Sequence, residues 1–219
     1  PKKYGGGGLA QALQDIATQD MYRAGGPIML NAIGLNWAGP LILDMGTDEQ
    51  RNQYIKGILS AEDIWCQGFS EPDHGSDLGA AQTRAVRDGD DYVINGSKIW
   101  TTIAHHAHYM IALVRTSGAP EDRQKGLSQV VIDLKAPGVK LHDNWRVMGM
   151  RGTGSQDVEL DSVFIPDAAI SGRRPQAKWH PLFHTISLIA FPLIYAAYVG
   201  VAEGARNKAL EMARKKPDD

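Results

Sequence analysis

The spacing of apolar residues changes period twice along the chain. Across residues 9–60 it is helical: Leu9–Ile16 and Ile28–Met45 place apolar side chains three and four apart, with Gly25-Gly26-Pro27 breaking between them. Thr47-Asp48-Glu49-Gln50 reads as a capping box, in which Thr47 and Gln50 satisfy orphan amides at a helix start. That helix should run through Tyr54 and Ile58 to about Ser60. From residue 64 the period shortens. Ala80–Arg87, Asp91–Ile94, Lys98–Thr102, Tyr109–Thr116, Leu127–Leu134 and Val158–Ile165 are short β-rich runs, preceded by a strand over Asp63–Gln67. Turn chemistry at Asp88-Gly89-Asp90, Asn95-Gly96 and Ser117–Gly126 separates them, and Asn-Gly between two such runs predicts a hairpin. Helical spacing returns from about Trp179, with Val201, Ala205, Ala209 and Met212 at three- and four-residue steps. The order predicts an α+β protein. A helical N-terminal domain over 1–62 is followed by an antiparallel, barrel-like middle β domain over 63–170 and the start of a C-terminal helical bundle over 171–219. No βαβ alternation and no Gly-x-Gly-x-x-Gly after a strand occurs, which excludes a Rossmann site.

Composition refines this picture in three places. Residues 181–202 hold no Asp, Glu, Lys or Arg, a length near the 20 or so apolar residues a membrane span needs. Pro192 interrupts that run and His184, Thr185 and Ser187 dilute it, so the reading is a buried helical pair and no membrane span. A net charge of −2 without any block of like charge points away from a nucleic-acid partner. The single cysteine, Cys66, rules out an internal disulfide and suits a reducing compartment, cytoplasmic or, in a eukaryote, the mitochondrial matrix. The chain opens on Pro1 and stops at Lys215-Lys216-Pro217-Asp218-Asp219 directly after a helical pattern. Both ends look cut, and a longer reading frame is expected.

Two segments carry candidate chemistry. Gly68–Asp77 (Gly-Phe-Ser-Glu-Pro-Asp-His-Gly-Ser-Asp) should turn sharply at Pro72 and Gly75. Its successive amides and the hydroxyls of Ser70 and Ser76 suit a flavin pyrimidine edge or a phosphate. Asn95–Thr102 puts an aromatic face at Trp100 beside the hydroxyls of Thr101 and Thr102, as an isoalloxazine wall requires. Taken singly, the first equally describes a polar loop and the second an ordinary strand, since Trp and Thr favour strands.

Together they say more. Ser-Glu-Pro-x-x-Gly-Ser-Asp at 70–77, followed by Asn-Gly-x-Lys-x-Trp-x-Thr at 95–102, resembles the acyl-CoA dehydrogenase family. Pro1–Gly6 is similar to the family's Pro-x-x-Tyr-Gly-Gly entry to a helix. Thr83-Arg84-Ala85, Val114-Arg115-Thr116 and the run Val158–Pro166 also match. The resemblance implies an FAD site. Gln67, Phe69, Ser70, Gly75 and Ser76 would belong to the flavin-wrapping loop, with Phe69 and Ser70 at the pyrimidine side. Trp100 would pack on the isoalloxazine, with Thr101 beside it and Thr102 near N5, and Ser76 would lie near the acyl-CoA thioester or pyrophosphate. It implies α,β-desaturation of an acyl-CoA, electron-transfer flavoprotein as acceptor, and a homodimer or homotetramer.

Some positions depart from that pattern. The family's catalytic base is a glutamate, and none can be assigned: Ala168–Ala202 holds no acid, and Ile194 occupies the early position some members use. The base is therefore expected outside this chain, and Glu203 is read as facing solvent or a partner. Tyr195 stands where members carry an arginine that helps hold CoA. Gly149–Ser155 (Gly-Met-Arg-Gly-Thr-Gly-Ser) is similar to a run in flavin-dependent monooxygenases of the same fold. That alternative stays open, as does a non-catalytic paralogue or half-protein acting as a binding subunit. His105, His106 and His108 lack further ligands nearby, so no metal site is read there. Trp37, Trp65, Trp145 and Trp179 are assigned to core or interface.

Overall fold

A computed structural model describes residues 1–27, 29–122, 126–171 and 181–215. Its helices begin where local chemistry directs. Helix α1 (Gln11–Arg23) ends before the Gly25-Gly26 break. The following apolar stretch enters helix late, through a π-helical turn at Gly34–Ala38 that leads into α2 (Gly39–Met45). Ile28 lies outside the described residues. Helix α3 (Asp48–Ser60) starts on a complete capping box: Gln50 N donates to Thr47 Oγ1 and Thr47 N donates to Gln50 Oε1. Gln50 Nε2 also donates to the carbonyl oxygens of Ala168 and Ile170, tying the helix start to the far end of the sheet.

Among the described residues the β region is one sheet of eight strands: β1 (Trp65–Gly68), β2 (Arg84–Asp88), β3 (Asp91–Thr101), β4 (Tyr109–Arg115), β5 (Leu127–Asp133), β6 (Val139–His142), β7 (Gln156–Ile165) and β8 (Ile170–Ser171). Its order is β6-β7-β3-β2-β4-β5-β8, with β1 also paired to β4. An antiparallel sheet is the expectation from sequence; the sheet is mixed. β1 runs parallel to β4 over Trp65–Gly68 and Tyr109–Ala112, and β2 meets β4 in parallel at Arg84 and Arg115. The reason is topological. Parallel neighbours need a long crossover, and here the β2–β3 hairpin supplies it.

A second correction concerns Asn95-Gly96, which does not turn the chain. The hairpin forms at Gly89-Asp90, pairing Asp88 with Asp91, while β3 continues straight through Asn95-Gly96 with a register shift. Asn95 Oδ1 accepts from Ser162 N on the neighbouring strand, and Gly96, at φ +154°, leaves room for Thr83. Asn-Gly here makes a bulge.

Two apolar clusters hold the elements together. One lies within the sheet and includes Ile94, Met110, Val130, Ile132 and Val158. The other joins Ile42, Tyr54, Ile55 and Ile58 to Trp65, with Tyr54, Trp65 and Tyr109 forming an aromatic triad at centroid separations of 5.1–5.3 Å. Each such buried side chain contributes roughly 1.5–3 kcal/mol. Between helix and sheet, Asn31 is fully committed. Its Nδ2 donates to Ile58 O and Asp63 O, and its Oδ1 accepts from Trp65 N.

The chain divides into two units, Pro1–Ala177 and Lys178–Asp219. In the second, helix α4 (Pro181–Arg214) is continuous through Pro192, so the expected helical pair is a single helix. Leu188, Phe191, Leu193 and Tyr198 along it are exposed rather than buried. Its Ser187–Arg214 stretch is long and apolar enough to cross a membrane by length and composition. Trp179 lies outside the described residues.

Candidate functional site

The Gly68–Asp77 loop has an inner side that is bolted down and an outer side that is not. On the inner side, Lys98 and Glu71 form a buried ion pair, Nζ to Oε1 at 2.7 Å, with Lys98 0% and Glu71 5% exposed. Lys98 Nζ also donates to Leu113 O at 2.6 Å and Phe69 O at 3.3 Å, which occupies all its protons. Glu71 accepts from Thr83 N and Gln82 N, at 3.0 and 2.6 Å. Burial pushes the Glu71 carboxyl up, but the Lys98 charge and these hydrogen bonds together hold it below its ordinary value. Burial likewise lowers Lys98, against the pull of Glu71. A second buried cation, Arg115, donates from Nε to Ala81 O and from Nη2 to Gly79 O, fixing the turn that follows the loop. Ile99 N donates to Ser70 O, and Glu71 and His74 exchange a pair of backbone hydrogen bonds. Gly68 is needed here because a Cβ would overlap Met110 and crowd Lys98.

The outer side forms a cleft of about 220 Å³ lined by Ile33, Gln67, Phe69, Ser70, Ile99, Trp100 and Thr102. Five of the eight residues singled out from sequence, Gln67, Phe69, Ser70, Trp100 and Thr102, therefore share one cavity. Gly75 stands at its edge, where an added Cβ would lie 3.8 Å from the Trp100 ring. Ser76 is exposed and is not among the lining residues. Thr101 turns the opposite way: it is 0% exposed, and its hydroxyl has no partner among the described residues.

The cause of this division is the bulge between Lys98 and Thr101. Trp100 adopts φ +55°, a left-handed conformation that a bulky residue occupies at a cost of about 1–3 kcal/mol. It also leaves its indole 59% exposed. Strain and exposure together present a flat aromatic face to the cleft. Phe69 is held from the other side by Trp37 of the π-helical turn, edge-on at 6.1 Å. Thr102 Oγ1 lies 2.9 Å from Ser155 Oγ, bringing the Gly149–Ser155 run to the cleft.

The Gln67 amide and Ser70 hydroxyl make no hydrogen bond to protein among the described residues. Free polar groups, the Trp100 ring and the apolar Ile33 and Ile99 lining one cleft suit a planar heteroaromatic ring with polar edges. None of the lining residues is a carboxylate, and Glu203 is exposed on α4. Among the described residues, no group of three His, Cys, Asp or Glu is placed to hold a metal. His106 and His108 do not share a strand face, because residues 102–106 form turns and β4 starts only at Tyr109; His108 Nδ1 instead accepts from Ile64 N. Trp65 is buried, Trp37 is half-buried, and Trp145 is half-buried with Nε1 donating to Met150 O.

Sequence reasoning passed over Lys98, Glu71, Arg115 and Ser155. Alternation along β3 carried a signal for the first, since Lys98 shares the parity of the inward-facing Ile94.

Comparison with known proteins places this geometry among relatives. Residues 1–62 match the family model described as acyl-CoA dehydrogenase, N-terminal domain, and residues 66–163 match acyl-CoA dehydrogenase, middle domain. The chain is 36% identical over 168 residues to acyl-CoA dehydrogenase IpdE1 of Mycobacterium tuberculosis, covering 77% of this chain and 42% of that protein. It is 31% identical over 219 residues to the probable acyl-CoA dehydrogenase YngJ of Bacillus subtilis, covering 99% and 56%. Among solved structures, the ChsE4-ChsE5 complex from Mycobacterium tuberculosis superposes with a TM-score of 0.72 at 33% identity, over 85% of this chain and 47% of the other. The chain spans about half the length of the curated relatives it matches.

Proposed function

The chain belongs to the acyl-CoA dehydrogenase family, and we propose that the intact protein is an FAD-dependent enzyme that desaturates an acyl-CoA thioester between its α and β carbons. The observation that carries this reading is the cleft itself, which Trp100, held in a strained, exposed conformation, lines together with the open Gln67 and Ser70. Bound flavin would supply the hydride acceptor. In this reading Trp100 walls the ring system, Gln67, Phe69 and Ser70 meet its pyrimidine edge, and Gly75 allows close approach. Thr102 faces the hydride-accepting nitrogen, Thr101 contributes main chain, and Ser76, exposed beyond the cleft, faces the acyl-CoA.

Removing the α-proton needs a carboxylate within hydrogen-bond reach, and the cleft walls supply none. The base is therefore assigned to a segment outside residues 1–219. The wider reading follows the family: a division at 1–62, 63–170 and 171–219, a soluble homodimer or homotetramer with α4 covered by the rest of the bundle, and electron-transfer flavoprotein as acceptor.

A second reading, a flavin-binding but non-catalytic subunit, is favoured by one feature. By the family resemblance, Ile194 and Tyr195 on α4 take the places of a carboxylate and an arginine that would serve substrate. A flavin spectrum of the intact protein, before and after anaerobic addition of an acyl-CoA series, separates the two. Bleaching of the yellow band by one chain-length class supports the dehydrogenase. A bound flavin that stays oxidised with every acyl-CoA supports the subunit, and a flavin reduced only by a separate reductase would indicate monooxygenase chemistry. No bound flavin at all refutes the proposal.

A further inference from the structure

A chain of three hydroxyls runs from the cleft into the Gly149–Ser155 segment. Thr153 Oγ1 donates to Met150 O at 2.9 Å, and Ser155 Oγ donates to Thr153 Oγ1 at 2.9 Å. Ser155 Oγ in turn lies 2.9 Å from Thr102 Oγ1. Each hydroxyl carries one proton and two lone pairs. Thr153 has placed its proton on Met150 and Ser155 has placed its own on Thr153. The proton between Thr102 and Ser155 is therefore that of Thr102, and Thr102 is left with only lone pairs to offer the cleft.

The segment is built to hold this arrangement. Ser155 is 4% exposed. Ile103 N donates to Thr153 O at 2.9 Å, with Ile103 at φ +58°. Met150 and Gly154 are both left-handed, and a Cβ on Gly154 would overlap the His105 ring packed against it. Among the described residues five non-glycine positions have positive φ, and of these Trp100, Ile103 and Met150 all flank these hydroxyls. Strain gathered at one place is a mark of a functional site.

We propose that Ser155, backed by Thr153, is a positioning residue that fixes the Thr102 hydroxyl as a hydrogen-bond acceptor and thereby favours the reduced cofactor. This rests on the reading that Thr102 faces the hydride-accepting nitrogen of a flavin. A fixed acceptor matches the N–H which that nitrogen carries when reduced and opposes the lone pair it carries when oxidised. Without the relay, the hydroxyl is free to rotate and donate to the oxidised form.

The test is the two-electron midpoint potential of the intact, flavin-loaded protein. In Ser155→Ala the reduced-to-oxidised ratio at a given potential should fall about tenfold, which is roughly 30 mV for a two-electron couple. Ser155→Thr should restore it, and Ser155→Ala should add nothing in a Thr102→Val background. An unchanged potential in Ser155→Ala with flavin still bound overturns the proposal, as does an equal shift in the Thr102→Val background. If Ser155→Ala loses its flavin, Thr153→Ala decides. That variant releases the Ser155 proton toward Thr102, so a lower potential supports the relay and an unchanged one overturns it. Wild-type protein that binds no flavin defeats the functional reading instead, and so marks a different failure.

Discussion

Replacing Lys98 with methionine isolates what the buried pair contributes, because methionine keeps most of the apolar stem and removes only the charge. Three acceptors lose their donor: the Glu71 carboxylate and the carbonyl oxygens of Phe69 and Leu113. Glu71 remains buried, with only the amides of Gln82 and Thr83 to compensate its charge. Breaking a buried pair on one side costs about 3–5 kcal/mol, since the surviving charge is stranded. At neutral pH Lys98→Met should therefore lose about that much in urea denaturation of the intact protein. The pH dependence should also change sign. In the wild type the folded Glu71 titrates below its ordinary value, so its stabilisation is present above the usual carboxylate range and is lost as pH falls through the depressed value. In Lys98→Met, burial, the largest single influence on the carboxyl, is opposed by the two amides alone, and the Glu71 carboxyl should rise. The variant should then gain stability, relative to neutral pH, as Glu71 protonates. Glu71→Gln added to Lys98→Met should recover part of the loss: a neutral amide strands no charge, but its NH2 would face one of the two backbone N–H groups that the carboxylate accepts from. A Lys98→Met loss under about 1 kcal/mol, or an unchanged pH slope, would refute the reasoning.

Three further outcomes test other parts of the structure. Gly96→Ala should destabilise by about 1–3 kcal/mol, because φ is +154° and a Cβ would stand 2.8 Å from Thr83 Cα; thermal melting checks it. Asn31→Ala strips Trp65 N, Ile58 O and Asp63 O of their buried partner and should lose about 3 kcal/mol in urea, beyond what an exposed asparagine would show. Burial pushes the Cys66 thiol up to about 12, so a thiol reagent at pH 8 should label it only as the protein unfolds. With its folded value raised, Cys66 favours the folded state below about 9, and that contribution is lost as pH rises toward 12. Cys66→Ala should flatten this alkaline slope.

Where the governing interactions were local, the sequence announced them. Thr47 and Gln50 cap α3 because their partners lie three residues apart, and Gly89-Asp90 turns a two-residue hairpin. Asn95-Gly96 misled because an Asn-Gly pair serves a bulge as well as a turn, and the choice was made by Ser162 and Thr83 from elsewhere in the chain. Parallel pairing of β1 with β4 leaves no local trace, since register across such a separation is a property of the whole sheet. In the cleft, the outward residues were legible from the two motifs taken together. Thr101 was not, because one residue of bulge reverses which side chains face out. Lys98 and Glu71 stand in those motifs, but their pairing joins a loop to a strand 27 residues away and leaves no local trace.

The parallel pairing has a kinetic consequence. Trp65 and Tyr109 are neighbours in the sheet, yet the β2–β3 hairpin lies between them in the chain. β1 therefore cannot zip onto β4 from a turn; it must close a long loop around a hairpin that forms first. Gln67 sits on β1 and Trp100 at the far end of β3, so the cleft does not exist until that closure is complete. Its long sequence separation makes that closure the expected slow step, so whatever occupies the cleft should meet a chain already past it. Such a ligand should leave the refolding rate almost unchanged and act as a brake on unfolding.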